Sequence, residues 1–234
     1  MQADPEFKRA GTKAAVERAD TFLGGPWWHD IFVAARAEAD ARDSLGAAAD
    51  AAAAVAEHFS AEICRRSKYE VLSVPVRKAP DRKPFFSLML FHSNSAAKLP
   101  FVDSAARAHR VWRADYWERY ADELNGGDVL FEFDVSDRQS EEEDRIRKQC
   151  QTVLEANLGE LLQAHPAVDI ATNVERIFGA MLGTAAEADL RVAWKHLHKA
   201  GVTANSPVGM KSLSRATVIR QQNAPPALRP TFDH

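Results

Sequence analysis

Apolar positions between residues 167 and 220 follow first a helical and then an extended period. Val168, Asp169 and Ile170 form a short extended run. Val174, Ile177, Phe178, Met181 and Leu182 then share one face of a helix predicted from Val174 to Leu182 and stopped by Gly183. Thr184-Ala185-Ala186-Glu187 reads as a capping box. It opens a helix to about Lys199 that buries Leu190, Ala193, Trp194 and Leu197, with Gly201 placed to end it. Val202-Thr203-Ala204 and Ala216-Thr217-Val218-Ile219 read as two strands joined by a loop rich in Ser, Pro and Gly. Helix, turn, capped helix and hairpin is the order of a winged helix-turn-helix.

The rest of the chain is mostly helical in pattern. Residues 6–23 predict a first helix, and Gly24-Gly25-Pro26 breaks it. Trp27, Trp28, Ile31 and Phe32 begin a second helix with Pro26 in its first turn. Residues 43–66 form the longest helical stretch, with Leu45, Val55, Phe59 and Ile63 inward. The tryptophan pair can be read as a stacking platform for bases, but aromatics at the start of an amphipathic helix are more commonly core.

Residues 69–76 and 85–91 are two strand-like runs joined by a basic turn from Arg77 to Pro84. Phe85, Phe86, Leu88, Met89, Leu90 and Phe91 make the second run apolar on both faces, so it is expected to be covered on both. An isolated hairpin cannot meet that demand. Helices then sandwich it, or it recruits a strand from another chain or from a second copy in a homodimer through 69–91. Residues 101–120 predict a further helix, and Asn125-Gly126-Gly127 a turn. Val129 to Phe133 is a short extended piece, and Ser136 to Asp144 an acidic linker. Gln149 to Leu162 predicts the helix that leads into the winged helix. The fold class is therefore α+β, mainly helical. Residues 1–125 form a helical and β-hairpin domain, 126–148 a linker, 149–221 the winged-helix domain and 222–234 a flexible tail.

The 234 residues carry a formal charge of −3, which gives no global signal for nucleic acid or membrane and makes any basic function local. From Gly183 to Arg220 there are six basic residues (Arg191, Lys195, Lys199, Lys211, Arg215 and Arg220) against two acidic ones, Glu187 and Asp189. Arg191, Lys195 and Lys199 recur every fourth residue along one predicted exposed stripe, with Lys211 and Arg215 on the wing. These five are the candidate nucleic-acid contacts, DNA being the expected partner. The same stripe also suits a solvated face on a protein-docking module.

No catalytic constellation emerges. A Gly-rich phosphate loop, a GxSxG elbow and an HExxH pair are missing, and Cys64 and Cys150 make no CxxC. His196 and His198, two apart on a helix, face different directions and cannot chelate one metal. His92, followed by Ser93-Asn94-Ser95, is the best polar cluster, and it also reads as a capped strand-to-helix turn. No catalytic residue, cofactor or metal is expected. The polar start and the lack of a long apolar run predict a cytoplasmic protein without membrane contact.

Several of these stretches together resemble the C-terminal half of the three-Cys-motif partner (TcmP-like) family of bacterial proteins. Phe22-Leu23-Gly24-Gly25-Pro26-Trp27-Trp28 is similar to that family's phenylalanine-glycine-tryptophan helix junction. The pair Tyr69–Arg77 and Phe85–Asn94 is similar to its late hairpin, and Leu130-Phe131-Glu132 with the helix from Leu154 to Leu162 keeps its order. The resemblance implies a methyltransferase-like remnant. Its partner would be a three-Cys-motif protein or an upstream methyltransferase-like chain. The acidic and glycine-rich motifs that would hold S-adenosylmethionine in the family have no counterpart, so the chain is expected to begin just after them and to be non-catalytic on its own. A subunit of a split S-adenosylmethionine-dependent methyltransferase is the second expectation. A DNA-binding transcriptional regulator, with residues 1–125 as a dimerisation or sensing domain, is the third.

Overall fold

The computed structural model describes residues 10–42, 44, 46–77, 84–125 and 136–222. Seven helices and four short strands occur among them: α1 (Ala10–Leu23), α2 (Trp28–Ala41), α3 (Ala47–Arg66), β1 (Glu70–Arg77), β2 (Pro84–His92), α4 (Lys98–Asn125), α5 (Ser136–Ala164), β3 (Ala167–Asp169), α6 (Ile170–Phe178), α7 (Glu187–Lys199) and β4 (Thr217–Ile219). The protein is mainly helical, as expected, with β1 and β2 paired as a two-stranded antiparallel hairpin. The expected turn at 126–127, the extended piece at 129–133 and nearly all of the tail lie outside the described residues. No described helix is long and apolar enough to cross a membrane.

The chain divides into two compact units, residues 1–69 with 83–87 and residues 70–82 with 88–234. In the first, α1 and α2 are pinned by one carboxylate. Asp20 accepts from the Trp28 indole at 2.8 Å and lies 2.9 Å from Nε2 of His29. Trp28 is buried, and Trp27 packs on His58 with ring centroids 5.0 Å apart, so both tryptophans are engaged inside the helical unit.

In the second unit, Leu154, Leu158 and Leu162 of α5 meet Ile170, Ile177 and Phe178 around α6, and Leu190 and Trp194 of α7. Trp194 is wholly buried, and its indole N–H donates to the Asn205 carbonyl at 2.9 Å, which removes the cost of an unpaired buried donor. Leu72 and Val74 of β1, with Leu99 and Val102 of α4, join the same core. β3 and β4 pair antiparallel with Val168 opposite Val218, and Thr203 bridges to Arg220 on the other side of that strand.

Three local expectations are corrected. Ser136 to Lys148, read as linker, is the first half of a 29-residue helix. Its charges are laid out at helical spacing, with Glu142 paired to Arg145 and Asp144 to Arg147. α6 ends at Phe178 rather than Leu182, because Gly179 takes φ 47° and the chain continues as a 3-10 turn to Met181. Finally, β2 is not covered on both faces along its whole length. Phe86 and Leu88 are 51% and 40% exposed, Leu90 packs on the core and His92 is buried, so cover grows toward the C-terminal end of the strand.

Candidate nucleic-acid interface

The helix α7 buries Leu190, Ala193, Trp194 and Leu197, as its period predicts. It begins differently from the expected Thr184–Glu187 box. Glu187 is its first residue, and Asp189 accepts from the Ala186 N–H at 2.9 Å. The N–H of Glu187 donates to Asp103 of α4, also at 2.9 Å. Two carboxylates thus satisfy N–H groups that a helix start leaves open, and both suit the positive end of the helix dipole.

Released from capping, the Glu187 side chain faces the loop after α7. It accepts from Nε and Nη2 of Arg191 at 3.1 and 2.5 Å and from the Leu213 N–H at 3.2 Å. Arg191 also donates to the Met210 and Lys211 carbonyls at 2.9 and 3.2 Å. The first member of the expected basic stripe is therefore a staple between helix and loop, and its side chain is only 24% exposed. A planar guanidinium offers five donors in a fixed fork, where a lysine offers three on one rotating centre.

The other four candidates are disposed otherwise. Lys195, Lys199, Lys211 and Arg215 are exposed, and none makes an ion pair among the described residues. Both acids of this stretch are meanwhile turned inward, Glu187 on Arg191 and Asp189 buried at the helix start. The exposed formal charge contributed by residues 183–220 is thus entirely positive. From outside this stretch, Glu155 of α5 meets His196 at 3.2 Å. His198 instead contacts the Thr203 carbonyl at 3.0 Å, so the two imidazoles have separate partners.

The cluster after β2 is built as a junction. Asn94 accepts from the Ala96 N–H at 3.0 Å and starts the turn into α4. Lys98, 4% exposed, lies 3.4 Å from both Glu70 of β1 and Glu175 of α6. His92 is buried with neither ring nitrogen hydrogen-bonded among the described residues, and its Nε2 is 4.0 Å from Glu70. A buried lysine between two partly solvated carboxylates ties β1, α4 and α6 together. Sequence reading passed over Lys98, because a lysine at the start of a helix carries no mark of burial. The buried Arg113, paired to Glu143 thirty residues away, was missed for the same reason.

Comparison of the chain with protein-family models, with curated proteins and with solved structures returns no match.

Proposed function

We propose that residues 149–221 form a winged helix that binds duplex DNA through α7 and the loop that follows it. The observation that carries this reading is the one-sided charge: Lys195, Lys199, Lys211 and Arg215 are exposed, while Glu187 and Asp189 are turned inward. The order β3, α6, α7, Thr203 bridge and β4, with β4 between the other two extended segments, supports the winged-helix assignment. Four unpaired cations on one module neutralise phosphates and release counterions, which gives affinity with little sequence dependence.

The test is a mobility-shift titration of a duplex at about 50 mM salt, where phosphate contacts are strong. Wild type shifts the duplex, the affinity falls steeply with added salt, and Lys195→Glu with Lys199→Glu removes the shift. Absence of any wild-type shift under those conditions rejects the reading.

Protein docking is the second reading, and exposed apolar residues favour it: Val208 in the loop is 72% exposed and Ile219 on β4 is 45% exposed. On the family resemblance, the docked partner would be a three-Cys-motif protein or a methyltransferase-like chain.

A further inference from the structure

A cavity of about 310 Å³ opens between α4, α5 and the turn joining α6 to α7. One wall is Trp112, whose ring lies 5.9 Å from that of Tyr116, and Ile146 and Met181 add apolar surface. Its two arginines are paired within the protein. Arg113 donates from Nε and Nη2 to Glu143 at 2.6 and 3.0 Å. Arg145 donates from Nε and Nη2 to Glu142 at 2.7 and 2.6 Å.

This pairing decides the ligand chemistry. The two guanidinium charges are each cancelled by a carboxylate, so the cavity lacks the excess charge that would draw a bare anion. Arg113 is nonetheless 6% exposed, and its Nη1 has no hydrogen bond among the described residues. Nη1 is not sealed from solvent, so a ligand acceptor there would take the place of water. The Arg145 guanidinium holds the Glu142 carboxyl below the usual carboxylate range, so Glu142 is an ionised acceptor at neutral pH. Each of its oxygens keeps a lone pair beyond the fork. Gln149, also on the lining, offers both a donor and an acceptor.

We propose that this cavity binds a planar heteroaromatic molecule with a hydrogen-bond donor and acceptor along its edge, of the purine-base class. The ring stacks on Trp112, its acceptor meets Nη1 of Arg113, and its N–H meets Glu142 or Gln149. The volume lies at the lower end of ligand pockets, which start near about 300 Å³, and suits one or two fused rings. None of these residues belongs to the exposed cationic set, so the site stands whether or not the protein binds DNA.

Isothermal titration of the full chain with hypoxanthine, caffeine and benzoate tests the proposal. Hypoxanthine binds at one site per chain. Caffeine keeps the ring system and the 6-carbonyl but has no N–H, and it binds at least about tenfold more weakly, as expected where a site must pair a donor. Trp112→Ala weakens hypoxanthine about fivefold by removing the stacking wall. Gln149→Leu, at an exposed position, also weakens it and leaves the fold undisturbed, so the test survives if the tryptophan variant misfolds. No saturable heat with hypoxanthine overturns the proposal. So does binding indifferent to both substitutions, or benzoate binding as tightly as hypoxanthine.

Discussion

Gly183 and Val74 are packed so closely that a Cβ at Gly183 would overlap Cγ1 of Val74. The glycine also sits at φ 78°, where an L side chain is strained. Two independent penalties meet at one position, on the turn between α6 and α7. Gly183→Ala is therefore expected to destabilise the protein by roughly 2–4 kcal/mol, backbone strain adding to overpacking. Urea unfolding followed by circular dichroism measures it. An unchanged midpoint would show that β1 can move away from the turn at no cost.

Arg191 and Lys195 stand one helical turn apart but are expected to respond oppositely. Arg191→Ala removes the partner of Glu187 and leaves the Met210 and Lys211 carbonyls without a donor. The expected loss of stability is about 1–3 kcal/mol, the cost of unpaired polar groups in a partly buried setting. Lys195→Ala touches no such contact, and its effect on stability stays within about 0.5 kcal/mol. DNA affinity should fall for Lys195→Ala with no change in melting temperature. Paired thermal melts and mobility shifts on both variants separate the roles.

Where the pattern was local, it was legible. The buried stripe of α7, the extended runs at 70–77 and 84–92 and the helical first third all follow from spacing alone. Two of the misreadings share one physical origin, dependence on distant partners. Arg191 looks like a surface cation until the chain returns at Met210 and Lys211 and sets their carbonyls beside it. Glu187 looks like a capping residue because Asp103, which caps it from α4, lies 84 residues away. The first half of α5 resembles a linker because ion pairs, rather than an apolar stripe, occupy its helical spacing.

The junction at Lys98 predicts an asymmetry between its two sides. Glu70 and Glu175 are 71% and 46% exposed in their side chains, whereas that of Lys98 is 6% exposed. Removing the lysine leaves carboxylates that water can solvate, so Lys98→Met should cost at most about 1 kcal/mol. Neutralising both acids leaves a buried ammonium without a counter-charge. Glu70→Gln with Glu175→Gln is expected to cost about 3 kcal/mol, in the range for breaking a buried pair from one side. Chemical denaturation of the two variants gives the comparison, and equal losses would mean that water reaches Lys98.

The buried thiol of Cys150 predicts how stability responds to alkali. Burial among α5 and its neighbours, reinforced by the Asp189 carboxylate, pushes this thiol up from its ordinary 9.0 to about 11. As pH rises, the unfolded chain gives up the proton first, so ionisation favours unfolding. The contribution of Cys150 is intact below pH 9.0, falls between there and about 11, and is constant above. Lysines and tyrosines titrate in the same window, so wild type must be compared with Cys150→Ala. The substitution leaves a small cavity and lowers stability by a roughly fixed amount at neutral pH. The gap between the two proteins should then narrow as pH passes from 9 toward 11, because only wild type carries the thiol. A gap that stays constant across that range would show that the thiol ionises as easily in the folded protein as in the unfolded chain.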